Sequence, residues 1–200
     1  MTSTTEIANN ALRHLAVATE ISNLDTDQSK QAKACRAFYD KARRKLLRIH
    51  EWRFCKSIVV LVPIEESPNS QYDYSYQYPS DCLFLRRISN DSRIETEDTK
   101  IPFEPGLSEG ARVIWTDKEE AEAEYTVDVT NPNIYHDDFV LALGALLAVM
   151  IAPSLTGGDA FKLGERAAKT YHIFLAEAVA ANMSEALSDE PPLSSIERAR

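Results

Sequence analysis

Histidine, cysteine, serine and paired carboxylates are the side chains that move protons, hold metals or attack carbonyls, and in this chain they are scattered. His14, His50, His136 and His172 stand far apart, and none has a partner at metal-ligand spacing. His136 with Asp137-Asp138 comes nearest to a ligand trio, but the positive end of a helix accounts for both acids without a metal. Cys35, Cys55 and Cys82 contain no Cys-x-x-Cys pair, so neither a zinc site nor a disulfide framework is expected. Their apolar surroundings read as those of small buried hydrophobes. There is no Gly-x-Ser-x-Gly elbow, and six glycines, of which only Gly157-Gly158 are adjacent, supply no phosphate loop. Glu119-Glu120 and Glu122/Glu124 lie at the approach to a strand, where they read as an acidic edge that discourages stray pairing rather than as an acid–base couple. No catalytic residue, metal ligand or cofactor is nominated.

Two patterns speak of surfaces instead. Tyr72, Tyr74, Tyr76 and Tyr78 alternate, which puts them on one face of a strand. Such a face either covers a small sheet with amphipathic rings or meets a partner, since tyrosine is enriched at interfaces. Base stacking is disfavoured because the sheet carries many acids and few bases. The second pattern is helical: Lys30, Lys33, Lys41, Arg44 and Arg48 project roughly opposite an apolar face of Cys35, Phe38, Ala42, Leu46 and Ile49. From Lys30 to Lys56 there are ten basic residues and two acids, in a chain of net charge −9. The stripe is either a solvated face or a subunit interface that meets a neighbour's acidic surface, and the second reading is preferred.

These patterns need elements to position them. Ser3-Thr4-Thr5-Glu6 has capping-box spacing and opens a helix to about Ala18. A second helix runs from Asp27 or Gln28 to about His50. Between Trp52 and Asp128 the period changes to two, giving short strands at 57–63, 71–78, 82–89, 100–103, 112–116 and 121–129, with turns at Asn90-Asp91-Ser92 and Pro105-Gly106. A third helix from Asp137 to about Ala152 is apolar on every face, and a fourth spans about Asp159 to Leu187. The expected fold class is α+β: an antiparallel helical bundle of four main helices with an inserted small antiparallel β-sheet region and an extended C-terminal tail. The expected divisions are 1–51 and 131–188 for the bundle, 52–130 for the insertion and 189–200 for the tail.

Composition limits function further. Two hundred residues, 44% hydrophobic and 26% charged, describe a globular chain with one sizeable core. The acidic balance repels nucleic acid in bulk. The start of the chain lacks a basic region followed by an apolar run, and the apolar stretch 139–152 is shorter than the ~20 residues of a bilayer span. A soluble protein of a reducing compartment, with no membrane partner, is expected.

The order of motifs resembles the head-to-tail adaptors of short-tailed phages, the tail tubular protein A family. Ile7-Ala8-Asn9-Asn10-Ala11-Leu12-Arg13-His14-Leu15 is similar to that family's opening helix. Residues Cys35 to Arg48, followed by His50-Glu51-Trp52-Arg53-Phe54, are similar to its second helix and exit, with Glu51 where the family often has proline. Tyr74-Ser75-Tyr76-Gln77-Tyr78-Pro79-Ser80-Asp81-Cys82-Leu83 resembles its aromatic-Pro-x-Asp turn, and Asp137 to Ala152 its apolar third helix. The resemblance covers about residues 5–187. It implies a non-enzymatic structural protein of the virion, made in the host cytoplasm. Such a protein forms a dodecameric ring between the portal and the tail nozzle, through which DNA passes during ejection without specific binding. It implies that Tyr72, Tyr74, Tyr76 and Tyr78 face the nozzle. It also implies that the tail, with Pro191, Pro192, Leu193, Ile196, Arg198 and Arg200, docks on the portal. A virion-borne cell-wall hydrolase and a nucleic-acid-binding module using the basic helix are the alternatives.

Overall fold

The computed structural model describes residues 2–64, 70–89, 100–157 and 160–185. Among these residues there are four helices: α1 (Thr4–His14), α2 (Lys30–Ile49), α3 (Asp137–Leu155) and α4 (Ala160–Ser184). Between α2 and α3 the described residues form seven strands: β1 (Lys56–Val60), β2 (Pro63–Ile64), β3 (Tyr74–Gln77), β4 (Cys82–Ser89), β5 (Phe103–Ser108), β6 (Ala111–Thr116) and β7 (Glu122–Val127). They make two antiparallel sheets, one ordered β1-β7-β4 and the other β2-β3-β6-β5.

This corrects the expected architecture. The chain is an α+β protein of four helices and two sheets, not a helical bundle bearing one small sheet. The chain divides inside α2: residues 1–43 and 131–200 form one unit and residues 44–130 the other. The expected divisions are at 51/52, 130/131 and 188/189; the two units divide at 43/44 and 130/131, and the expected tail from 189 lies outside the described residues. The physical reason is that periodicity reports a buried face but not the layer that buries it. The last turns of α2 belong with the strands, where Leu46 and Leu47 are buried and the Trp52 indole donates to the Leu46 carbonyl at 2.8 Å.

In the helical unit, the Ser3 hydroxyl accepts the Glu6 amide at 3.1 Å and caps α1. The helix stops at Leu15, and Ala16 turns out at φ +53°. The Asn9 side chain then pins the following loop by accepting from the Ile21 amide (2.8 Å) and donating to its carbonyl (3.0 Å). The first part of α2 buries Ala32, Cys35, Tyr39, Ala42 and Arg43, a face one residue round from the expected one, and Ile49 is exposed. Asp137 and Asp138 occupy the first turn of α3. α3 packs along both α1 and α4. At 19 residues α3 is long and apolar enough to cross a bilayer, contrary to expectation, and most of it is buried against these neighbours.

In the β unit, the core gathers Leu61, Leu85, Ile88, Ile114 and Tyr125 between the sheets, with Tyr76 and Cys82 beside them. Pro105-Gly106, expected to turn, lie within β5. This strand is at the edge of its sheet, the position where proline's missing donor is tolerated, and Gly106 leaves room for the Trp115 ring.

Candidate functional site

The β unit contains a cleft of about 700 Å³ lined by four arginines and three aromatic rings. Register shifts along β4 turn Cys82, Leu85 and Ile88 into the core and leave Phe84 and Arg86 together at the cleft, where Arg48 from the end of α2 meets the same ring. The Arg86 guanidinium lies 4.6 Å from the Phe84 centroid and that of Arg48 lies 5.3 Å from it. Across the cleft, Arg112 of β6 lies over Tyr78 at 3.6 Å. Burial pushes the Tyr78 hydroxyl up to about 12, although Arg112 pulls the other way. Arg44 and Asp128 pair at 2.9 Å at the margin, and Asp81 accepts the Tyr125 hydroxyl at 2.9 Å.

The arginines do different work. Arg86 donates to the carbonyls of Leu47 (3.2 Å), Arg48 (3.2 Å) and His50 (2.7 Å) and to the Thr126 hydroxyl (2.9 Å). It thereby satisfies the carbonyls that the end of α2 leaves open. Arg48 and Arg112 make no ion pair among the described residues. A guanidinium stacked on a ring keeps its in-plane donors available, and a carboxylate fits such a fork with two hydrogen bonds. The cleft is therefore suited to hold an acidic group.

Beside it lies a second charged cluster. Glu124 of β7 meets Lys56 at 2.7 Å and Arg87, and Glu51 meets Arg87 at 3.0 Å and Lys56 at 3.6 Å. Burial raises Glu124, but hydrogen bonds from Glu51, Arg87 and Lys56 outweigh it and bring its pKa to about 2. Burial, with the neighbouring Glu124, raises that of Glu51. The two carboxyls face two cations, and the quartet joins the exit of α2 to β1, β4 and β7.

No protein-family model matches the chain, and no curated protein is significantly similar to it. The site therefore rests on its own geometry.

Lys30, Lys33, Lys41, Arg44 and Arg48, the expected interface stripe, are all exposed but do not act as one row. Lys30, Lys33 and Lys41 belong to the helical unit, and Lys41 lies 5.2 Å over Phe38. Only Arg44 and Arg48 reach the cleft. The tyrosines also separate. Tyr76 is 2% exposed, and its hydroxyl donates to the Lys118 carbonyl at 2.8 Å, so it cannot be displayed to a nozzle. Tyr74 and Tyr78 are half-buried against the core, and Tyr72 precedes β3. Most of this face covers the sheet from within. Pro191, Pro192, Leu193, Ile196, Arg198 and Arg200 lie outside the described residues, as does the Asn90-Asp91-Ser92 turn.

Cys35, Cys55 and Cys82 are buried free thiols. Burial pushes Cys35 up to about 11 and Cys55 to about 12, and raises Cys82, which keeps them protonated and unreactive. His14 and His50 are lowered by burial and by Arg166 and Arg86 respectively. Among the described residues no group of histidine, cysteine and carboxylate is placed to hold a metal.

Sequence reading missed Phe84, Arg86, Arg112 and Asp128 in the cleft, and Glu51, Lys56, Arg87 and Glu124 as a quartet. One signal was present: Arg86-Arg87 interrupts the apolar run of Cys82 to Ile88, and a charged pair in a half-buried strand must find partners.

Proposed function

We propose that this chain is a structural subunit that assembles with copies of itself, as a head-to-tail adaptor of a short-tailed phage virion set between portal and nozzle. The observation that carries the reading is the outward face of β1. Ile58, Val60 and the following Val62 are 52%, 65% and 57% exposed, while Val59 and Leu61 point into the core. β1 is also an edge strand. A row of β-branched side chains on a sheet edge is a surface that natural chains cover, and a neighbouring subunit covers it here. In this reading Pro191–Arg200 contacts the portal, and the acidic balance keeps DNA from sticking to the ring.

The test is mass measurement of the protein alone and after mixing with its portal, with negative-stain images of the products. Rings at the portal are expected, and Val60→Lys should reduce their yield without lowering the melting temperature of the subunit. A particle that stays single both alone and beside the portal would overturn the reading.

A further inference from the structure

We infer that the arginine cleft receives the Glu119–Glu120 turn of a second copy of this chain, so that copies join through one basic socket and one acidic plug. The inference rests on the self-assembling reading above and adds a second contact to the β1 face.

On the socket side, the other charges are already engaged. Arg44 holds Asp128, Tyr125 donates to Asp81, and Arg86 is fixed on the α2 carbonyls. Arg48 and Arg112 remain without an acidic partner among the described residues, Arg48 held against the Phe84 ring and Arg112 stacked on and hydrogen-bonded to Tyr78. Their positions are set before any partner arrives, which lowers the ordering cost of binding.

The plug is equally pre-formed. The buried Tyr76 hydroxyl donates to the Lys118 carbonyl at 2.8 Å and accepts from the Ala121 amide, clamping the turn between β6 and β7. The Asp117 carboxylate accepts the Asp73 amide at 3.1 Å. Glu120 sits at φ +51°, a left-handed conformation that is uncommon for a residue with a side chain. Glu119 and Glu120 are exposed and have no cationic partner among the described residues.

Topology keeps plug and socket apart within one chain. β6 begins beside Arg112 and runs to the turn, and β7 runs back from the turn to Asp128. Phe103 of the cleft wall pairs with Thr116 beside the turn, but Arg112 lies at the other end of β6, roughly 15 Å of strand away from it. An acidic end that cannot reach its own basic end can reach a neighbour's. Contact between unlike faces is heterologous, and its repetition closes into a ring when the rotation permits. This is the geometry an adaptor ring needs.

The experiment uses two charge-reversed forms of the full chain, Arg48→Glu/Arg112→Glu and Glu119→Arg/Glu120→Arg. Assembly is read by sedimentation across concentration, alone and beside the portal. Each form by itself should need roughly tenfold more protein, or more, to assemble. An equimolar mixture should recover, because each reversed end then finds its complement. Circular dichroism checks the fold, and Arg48→Gln/Arg112→Gln gives the same direction with a smaller effect. Either reversed form assembling like the parent, or a mixture that stays impaired, would overturn this contact. Rings built by both forms overturn the contact alone, whereas a parent chain that never assembles overturns the adaptor reading with it.

Discussion

In the helical unit the elements meet through small residues and aliphatic side chains: Gly144 of α3 faces Ile7, Asn10 and Ala11 of α1, and Leu143, Leu147 and Ile151 are buried outright. Polar contacts are present there too: Arg43 is buried and tied to Asp40 at 3.2 Å, Asn182 is buried, and Arg36 donates to the carbonyls of Leu24 (2.6 Å), Asp25 (3.2 Å) and Asp27 (2.7 Å). In the β unit the elements meet through charge laid on rings and carbonyls: Arg86 on the end of α2, Arg112 on Tyr78, and the quartet of Glu51, Lys56, Arg87 and Glu124. Apolar contacts are non-directional and forgive small changes of shape. Buried ionic contacts are directional and forgive little, because losing one member strands the others. The β unit is thus the part with a defined surface chemistry, and the helical unit is the part that tolerates substitution.

The strongest way to break this contrast is Glu124→Gln. The carboxylate is 4% exposed and answers both Lys56 and Arg87. Lys56 and Arg87 are each about a third exposed and keep Glu51, so removing the Glu124 charge should cost about 2–3 kcal/mol, measured by urea denaturation. The pH dependence carries a matching signature. Glu124 has a folded pKa of about 2 against an ordinary value of 4.5, so its contribution is complete above 4.5 and is lost as pH falls from there through about 2. Glu51, shifted upward, contributes in the opposite sense, losing stability as pH rises through its raised value. Between pH 4.5 and 2 the Glu124→Gln variant should therefore lose stability less steeply than the parent chain. Equal slopes would mean that the quartet is not what holds Glu124 ionised.

How much of this was legible follows the same division. The helices could be read because their signals are local: the Ser3 cap, the acids opening α3 and the spacing of Cys35, Ala42 and Leu46 all lie within a few turns. The sheets could be read only as strands. Nothing local says that β7 lies between β1 and β4, or that β3 pairs with β6, because those partners are tens of residues apart. The bundle expectation failed for this reason: α2 is periodic, but its last turns lie under Arg86 from a strand 36 to 39 residues on. The tyrosine ladder shows the limit on one strand. Alternation places Tyr74, Tyr76 and Tyr78 together, yet whether that face is inner or outer depends on the opposing sheet. The cleft needs all of these pairings at once, so only Arg44, Arg48 and Tyr78 of its lining stand out without them.

A middle-sized test compares the packing of one glycine in the β unit. A Cβ on Gly106 would fall against the Trp115 ring well inside contact distance, on a strand facing Val113. Gly106→Ala should push that ring aside and cost about 1–3 kcal/mol. The indole also reports on the change directly, since its nitrogen is buried without a hydrogen-bond partner among the described residues. A shift in tryptophan fluorescence should accompany the lower melting temperature, and an unchanged spectrum would show that the strand, not the ring, gives way.

The same substitution in the helical unit should have the smallest effect and the opposite sign. A Cβ on Gly144 would meet the Asn10 Cβ at 3.4 Å, the Ile7 carbonyl at 3.7 Å and the Ala11 amide at 3.9 Å, all ordinary contacts. Alanine also restricts the unfolded chain more than glycine and favours a helix interior by up to about 1 kcal/mol. Gly144→Ala should accordingly leave stability unchanged or raise it slightly, read as a melting temperature at or above that of the parent. If it instead falls as far as Gly106→Ala, α1 and α3 are locked by shape as tightly as the β unit is by charge. The glycine would then be required for their approach, and the tolerance assigned to the helical unit would be confined to its aliphatic side chains.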